Sequence, residues 1–162
     1  MANWTENDLK AQFQRTQISG WLPLFEAAAQ THSFEVELLL AIGSRETNLR
    51  NIKGDFYNGI YHGYGIMQVD IGTDPAFCAS WTEARVQESI ERGTEILAEK
   101  RAYLADKGIT DPKAIAAAYN TGQGNVVRSI GAGKDPDSTT SGHYYGSDVL
   151  ARMAIFKNLR AA

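Results

Sequence analysis

Three acidic residues have the type and spacing for acid–base chemistry: Glu46, Asp55 and Asp70. Glu46 lies in Gly43-Ser44-Arg45-Glu46-Thr47, at the end of an apolar helical pattern, and the two aspartates lie in the turn-rich segment that follows. A carboxyl group in apolar surroundings, with other carboxylates a short loop away, is the arrangement that acid-catalysed cleavage of a glycosidic bond requires. The spacing therefore indicates this chemistry as one use of the three residues.

The element that must position Glu46 is a helix, which the sequence predicts over residues 34–46, with Ser33 as its N-cap. One face of this helix carries residues at helical spacing: Leu38, Leu39, Ile42 and Glu46. Glu46 could pair with a cation such as Arg45 or Arg50 and only help to end the helix. Alternatively, burial raises its pKa, so that the carboxyl group stays protonated and donates a proton. Both interpretations remain open at this point.

A glycine- and asparagine-rich segment over residues 48–65 follows the helix. Within it, large side chains alternate roughly as in short strands: Tyr57, Ile60, Tyr61 and Tyr64. We therefore predict a small β-hairpin or loop region beside the site, whose glycines let the backbone approach a ligand closely. A polar surface loop with buried aromatic side chains is the alternative.

The remainder of the chain is predicted to be mainly helical. Further helices are expected over residues 5–15, 21–31, 80–104 (from the capping motif Ser80-Trp81-Thr82-Glu83), 111–118 (from Asp111-Pro112), 124–130 and 145–159. The polar segment 131–142 is predicted to be a mobile surface loop. The predicted fold class is mainly α: a single compact helical domain over residues 1–162, with the small β region flanking a cleft.

Composition and charge argue against several classes of protein. With 162 residues, of which 43% are hydrophobic and 22% charged, the chain is typical of one globular domain. The net charge of −3 gives no basic field, so no nucleic-acid partner is expected. No apolar run approaches the ~20 residues of a membrane-spanning helix. Cys78 has no second cysteine to pair with and is predicted to be a core residue, and the histidines lack metal-ligand spacing, so neither a metal nor a cofactor is expected.

Four segments, taken in order, resemble the goose-type lysozymes and the related lytic transglycosylases. They are Ser44-Arg45-Glu46-Thr47, Gly65-Ile66-Met67-Gln68-Val69-Asp70, Ala117-Ala118-Tyr119-Asn120-Thr121-Gly122-Gln123-Gly124-Asn125-Val126 and Tyr145-Gly146-Ser147-Asp148-Val149-Leu150-Ala151-Arg152. The resemblance runs from about Ile18 to the end, and it implies a lysozyme-like α+β fold. It therefore predicts a family-like core over residues 18–162, preceded by an N-terminal helical extension over residues 1–17.

The resemblance implies a muramidase that hydrolyses the β-1,4 bond between N-acetylmuramic acid and N-acetylglucosamine in peptidoglycan. Glu46 would be the general acid, and Asp55 and Asp70 would position the attacking water, with inversion at the anomeric carbon. Lytic transglycosylases usually lack this aspartate pair and let a hydroxyl of the substrate attack instead. An inverting site keeps its carboxyl groups roughly 6.5–9.5 Å apart to leave room for the water. A purely structural role in a turn is the alternative for each aspartate.

The resemblance also implies a set of substrate-binding residues: Met67, Gln68, Tyr119, Asn120 and Tyr145. Of these, Gln68 and Met67 are expected to shape the cleft, with Met67 packing rather than reacting. Without it, Tyr119 would be assigned to the core and Asn120 to a helix C-cap. Two departures stand out, since Thr47 replaces the usual serine and Asp74 stands where goose-type members often carry a sugar-contacting histidine. The alternative functions are a lytic transglycosylase, a chitinase, and a peptidoglycan-binding module without activity.

The expected partners are peptidoglycan glycan strands, with chitooligosaccharides as alternative substrates, and the chain is expected to be a monomer. Its start has no basic segment followed by an apolar run, so a signal peptide is not predicted. Two settings fit these expectations. One is a phage or bacterial endolysin released from the host cytoplasm to the cell wall, and the other is a domain of a longer secreted enzyme.

Overall fold

Eight α-helices and one small sheet form residues 3–162, the part of the chain that the computed structural model describes. The helices are α1 (Glu6–Ile18), α2 (Leu22–His32), α3 (Val36–Thr47), α4 (Pro75–Ser80), α5 (Val86–Asp106), α6 (Pro112–Thr121), α7 (Gln123–Gly131) and α8 (Tyr145–Ala161). The strands are β1 (Lys53–Tyr57), β2 (Ile60–Tyr64) and β3 (Val69–Asp70). This architecture confirms the predicted mainly α class with a small β region.

Helix α3 is the centre of the fold and carries the Glu46 motif at its C-terminal end. Leu39, Leu40 and Ile42 are completely buried, and the helix packs along α8, whose Val149 and Phe156 are also completely buried. Burial of this many large apolar side chains fixes the position of α3 in the core. Any side chain at the end of α3 therefore starts from a rigid support.

Helix α1 packs into the same core as the later helices. Thr5 caps it, because the Thr5 hydroxyl accepts a hydrogen bond from the Asp8 amide at 3.2 Å while the Asp8 carboxylate accepts from the Thr5 amide at 2.7 Å. Leu9 is completely buried and Phe13 nearly so. The division of the chain at residue 18 stays a prediction.

Two predictions concern the start of the chain and the membrane. The prediction that there is no signal peptide depends on the first residues, of which Met1 and Ala2 lie outside the described part of the chain. Over residues 3–162, no helix combines the length and the apolar character needed to cross a membrane.

Two predicted helix starts are wrong. Ser33 adopts a left-handed backbone conformation, with φ of 56°, and ends α2, so α3 begins after Glu35 instead. Ser80 ends α4, a short helix that the sequence analysis does not predict, and α5 begins only at Val86. In both places a polar residue with capping ability lies close to a helix start but serves the preceding helix.

The predicted start of α6 is confirmed, whereas the predicted loop after α7 is wrong in part. Asp111 caps α6 as predicted, because its side chain accepts a hydrogen bond from the Lys113 amide at 3.3 Å. The prediction of a mobile loop over residues 131–142 is wrong for its second half, which forms short 3-10 helices at Pro136–Thr139 and Ser141–His143. The buried carboxylate of Asp137 accepts backbone hydrogen bonds from the first turn of α8 and pins this half to the core.

The sheet is an antiparallel β1–β2–β3 meander whose first two strands form the predicted hairpin. Asn58 and Gly59 connect them with φ of 52° and 80°, the positive values of a type I′ turn. Gly54 and Gly63 pair across the strands, and a Cβ atom on either would collide with the side-chain amide of Gln68. The two glycines therefore leave the space in which Gln68 lies against the hairpin.

Candidate active site

A cleft of about 320 Å³ opens between the helices and the sheet. Its lining residues are Glu46, Asp55, His62, Gly63, Gln68, Asp70, Tyr119, Asn120 and Ser141. The three acids predicted to be catalytic thus line one cleft, although they come from α3, β1 and β3. A cleft with convergent carboxyl groups is the usual form of a site that acts on a polar ligand.

Glu46 lies one residue before the end of α3 and is partly buried in the cleft wall. Burial raises the pKa of the Glu46 carboxyl group from 4.5 to about 7. The Tyr145 hydroxyl, which donates a hydrogen bond to Glu46 Oε1 at 2.5 Å, and the nearby Arg45 both act to lower this pKa, while the charge of Asp55 adds to the rise. The net effect leaves Glu46 protonated over much of the range below neutral pH.

The cation next to Glu46 has another partner. Arg45 forms an ion pair with Asp148 on α8, with Nη1 3.3 Å from Oδ2. Within residues 3–162, neither Arg45 nor Arg50 forms a salt bridge with Glu46. The interpretation of Glu46 as a paired helix-end acid is therefore wrong.

A buried polar cluster, the Asp148 cluster, holds the end of α3 against α8. The Asp148 carboxylate has no exposed surface and accepts hydrogen bonds from Trp4 Nε1 at 2.6 Å and from Arg152 Nε at 2.9 Å, besides its ion pair with Arg45. Arg152 Nη1 also donates to the Ser44 hydroxyl at 2.7 Å. Because every buried charge in the cluster has a partner, the residues beside Glu46 have a defined position.

Met67 and Tyr145 are placed differently from the predicted substrate contacts. Met67 is completely buried, and its side chain fills the space beside Gly93, where a Cβ atom would approach it within 2.6 Å. Tyr145 is 2% exposed and directs its hydroxyl to Glu46. Neither residue lines the cleft. Both side chains thus support the cleft wall from behind, and a direct contact of either with a substrate stays a prediction.

Asp55 and Asp70 are exposed on the sheet side of the cleft. Asp55 adopts a left-handed conformation with φ of 56°, which is uncommon outside glycine and marks a local constraint. Asp70 accepts a hydrogen bond from the Gly72 amide through Oδ2 at 2.7 Å, so it does stabilise a turn. Among the described residues, no hydrogen bond occupies Asp70 Oδ1, so the turn role leaves one oxygen available.

Gln68, Tyr119 and Asn120 line the cleft, as predicted for substrate-binding residues, and each also braces it. Gln68 Nε2 donates to the backbone carbonyl oxygens of Ile52 and Gly65 at 2.9 Å. The Tyr119 hydroxyl donates to the Met67 carbonyl oxygen at 2.7 Å, and burial raises the pKa of Tyr119 well above its ordinary value. Asn120 Oδ1 accepts from the amide of another lining residue, Ser141, at 2.9 Å.

Two of the lining residues, His62 and Ser141, are missed by the sequence analysis. His62 Nδ1 lies 3.1 Å from the Asp55 carbonyl oxygen, and its ring stacks on Tyr57 with centroids 3.5 Å apart. Its position in the alternating pattern predicts a strand, but the pattern alone does not say which face of the strand meets the cleft. Ser141 lies in the segment that the sequence predicts to be a loop.

The two positions that depart from the goose-type pattern have structural partners. The Thr47 hydroxyl donates to the Ile66 carbonyl oxygen at 2.8 Å and joins α3 to the loop before β3. Asp74 caps α4 and forms an ion pair with Arg92, with Nε 2.7 Å from Oδ2. Asp74 is not part of the cleft lining. Over residues 3–162, no cluster of three or more histidine, cysteine or acidic side chains is arranged to hold a metal ion.

The chain is similar to known proteins over most of its length. The family model described as "LysG: Lysozyme g" matches residues 8–159. A lysozyme g from Epinephelus coioides is 28% identical over 137 residues, which cover 78% of this chain and 69% of that protein. All the residues that line the cleft fall within the matched range.

Proposed function

We propose a catalytic mechanism for this chain, which belongs to the lysozyme g family and is a glycoside hydrolase that degrades peptidoglycan. The proposed reaction is hydrolysis of the β-1,4 bond between N-acetylmuramic acid and N-acetylglucosamine, with inversion at the anomeric carbon. The observation that carries the proposal is one cleft containing a carboxyl group of raised pKa together with two exposed carboxylates.

Glu46 is the proposed general acid. With a pKa of about 7, it holds a proton at the pH where most carboxyl groups have lost theirs, and it donates this proton to the bridging oxygen as the glycosidic C–O bond breaks. The Tyr145 hydroxyl holds Glu46 Oε1 in place during this step. The general acid thus combines a fixed position with a proton to give.

Asp55 and Asp70 are the proposed water-positioning residues. Both are exposed on the sheet side of the cleft. A carboxylate there can accept a proton from a water molecule while that water attacks the anomeric carbon from the face opposite the leaving oxygen. One proton leaves Glu46 and one reaches an aspartate, so the reaction is balanced by one water and needs no cofactor.

The substrate contacts are assigned to the side chains that remain at the cleft surface. Gln68, Tyr119 and Asn120 are the proposed contacts to a glycan strand, while Met67 and Tyr145 act from behind. The proposed partner is the glycan strand of peptidoglycan, and the chain is proposed to act on the cell wall as a monomer. An endolysin and a domain of a secreted enzyme are both consistent with this role.

The experiment that tests the proposal is a digest of purified peptidoglycan with product analysis by mass spectrometry. The chain should release muropeptides with reducing muramic ends, and Glu46→Gln should release almost none, with a rate lower by about 10²–10⁴-fold. Asp55→Asn and Asp70→Asn should each lower the rate while leaving the fold intact by circular dichroism. A Glu46→Gln variant with most of the lytic rate would remove Glu46 from the mechanism.

Other products would lead to other conclusions. Anhydro ends, lighter than the hydrolysis product by one water, would identify a lytic transglycosylase and return both aspartates to structural roles. Cleavage of chitooligosaccharides in preference to peptidoglycan would identify a chitinase. Binding to peptidoglycan with no products from either wild type or Glu46→Gln would identify a binding module.

A further inference from the structure

The exposed apolar side chains of the molecule are concentrated on one hairpin. Seven large hydrophobic side chains are exposed over residues 3–162, and five of them fall between residues 52 and 61. These five are Ile52, Phe56, Tyr57, Ile60 and Tyr61. Tyr57 pairs with Ile60, and Phe56 pairs with Tyr61, so the two pairs lie on opposite faces of the hairpin and each face exposes large apolar side chains. A concentration of exposed apolar side chains on an otherwise ordinary domain marks a place where something binds. The hairpin of β1 and β2 therefore needs a functional explanation beyond carrying Asp55.

One aromatic pair of this hairpin continues the wall of the cleft. The rings of Tyr57 and His62 stack in parallel, with centroids 3.5 Å apart and an interplanar angle of 2°. His62 lines the cleft and is held by the Asp55 carbonyl oxygen, whereas Tyr57 lies farther out and remains 50% exposed. One face of Tyr57 is covered by the imidazole ring, and the rest of the side chain is open to a ligand that leaves the cleft in this direction.

The Tyr57–His62 stack is held in place before any ligand binds. Tyr57 pairs with Ile60 across the type I′ turn at Asn58 and Gly59, so its backbone is fixed by the shortest hairpin connection. A side chain that is already ordered loses little conformational entropy on binding. An exposed but ordered aromatic ring is therefore suited to a weak, repeated contact with a polymer.

We propose that the Tyr57–His62 stack is an additional sugar-binding platform, which holds a ring of the same glycan strand at a distance from the bond that is cleaved. This inference rests on the proposed function and deepens it, because it makes the enzyme selective for long strands. A pyranose ring presents C–H groups on its face, and the negative face of an aromatic ring attracts them. The hairpin offers one nearby cation, Lys53, which already lies over the Tyr61 ring, so an anionic membrane surface is less well matched.

The test compares kcat/KM for a series of glycan oligosaccharides of increasing length. Tyr57→Ala should lower the preference for long over short oligosaccharides by about tenfold, and Tyr57→Trp should restore it. Phe56→Ala is the matched control, because Phe56 is 62% exposed on the same hairpin but packs on Tyr61 and not on the cleft-lining His62. This control should keep the wild-type length preference.

Several results would overturn the platform. An equal loss on all lengths, or the same change in Phe56→Ala, would mean that the hairpin is only destabilised. An unchanged length preference in Tyr57→Ala would show that Tyr57 does not bind the glycan. Sedimentation of wild type but not Tyr57→Ala with anionic phospholipid vesicles would show that the aromatic side chain binds a membrane surface instead. If wild type releases no product from any oligosaccharide, the proposed function fails instead, which the same assay distinguishes.

Discussion

The two sides of the cleft are built on opposite principles. The helix wall, formed by α3 and α8, holds Glu46 on a buried scaffold that the Asp148 cluster cross-links. The loop wall, formed by residues 53–70, holds Asp55 and Asp70, which are both exposed. Its shape depends on left-handed residues, with φ of 56° at Asp55 and 52° at Gln68, and on hydrogen bonds to main-chain carbonyls.

This difference teaches how one chemical group acquires two roles. Burial on the helix wall penalises the charged form of a carboxyl group and raises the pKa of Glu46 to about 7. The two aspartates on the loop wall are exposed to water instead, so the same cleft holds carboxyl groups in two different environments. Variants on the helix wall should therefore change stability and the proton affinity of Glu46, and variants on the loop wall should change turnover alone.

The largest expected effect comes from removing the centre of the Asp148 cluster. Asp148→Ala leaves Arg152 and Arg45 buried or partly buried without their carboxylate, and we expect a loss of about 3–5 kcal/mol in the free energy of unfolding. Urea denaturation followed by circular dichroism measures this loss. Lys157→Ala, which breaks an exposed ion pair with Glu35, is the control and should change stability little. Equal effects of the two variants would remove the contrast between buried and exposed charge.

The next effect is a pH-dependent gain in stability from Glu46→Gln. Because the folded-state pKa of about 7 exceeds the ordinary 4.5, the folded chain binds this proton more tightly, and wild type loses stability as the pH rises from 4.5 to 7. Glutamine cannot ionise and still accepts the Tyr145 hydrogen bond. The variant should therefore be more stable by up to about 3 kcal/mol at about pH 8, and equal to wild type near pH 4. Urea titrations at both pH values test this, and a pH-independent difference would contradict the raised pKa.

A smaller effect should follow from loss of the Tyr145 hydroxyl. Its hydrogen bond to Glu46 favours the ionised carboxyl group, so Tyr145→Phe should raise the pKa of Glu46 above its wild-type value of about 7. Activity that depends on protonated Glu46 should then persist to higher pH. The pH profile of kcat/KM measures the pH at which activity falls on the alkaline side. If this pH is unchanged or lower in Tyr145→Phe, the hydroxyl does not act on Glu46.

The smallest stability effect is expected on the loop wall. Asp70→Asn keeps an oxygen that can accept from the Gly72 amide, and the side chain is exposed, so the free energy of unfolding should stay within about 0.5 kcal/mol of wild type. Thermal denaturation checks this value beside the rate of peptidoglycan cleavage. A large loss of stability together with lost activity would assign Asp70 to the fold rather than to the reaction.

The fold is predictable from the sequence where local signals are strong. The apolar stripe of α3 and the Asp111-Pro112 start of α6 are set by short-range effects, and both predictions are confirmed. Ser33 and Ser80 mislead because a serine near a helix start serves equally well at the end of the preceding helix. The segment after α7 misleads because its order depends on Asp137, whose partners lie on α8.

The site is predictable in its acids but not in its supports. Glu46, Asp55 and Asp70 lie in one cleft as expected, and their roles stay a prediction until the variants are measured. The packing of Met67 is expected from the sequence, but the burial of Tyr145 could not be predicted, because an aromatic residue in a motif is equally compatible with the cleft surface and with the layer beneath it. Only the packing of α8 on α3 decides between these positions.

The Asp148 cluster also bears on when Glu46 acquires its surroundings during synthesis of the chain. Trp4 and Asp148 are 144 positions apart, and Ser44 and Arg152 are 108 apart. Contacts between such distant segments close long loops, which costs conformational entropy and makes them slow to form. Tyr145 and Asp148, the partners of Glu46 and Arg45, lie on α8, and Tyr145 is 99 positions beyond Glu46. A nascent chain that ends before α8 therefore has Glu46 but lacks the side chains that orient it.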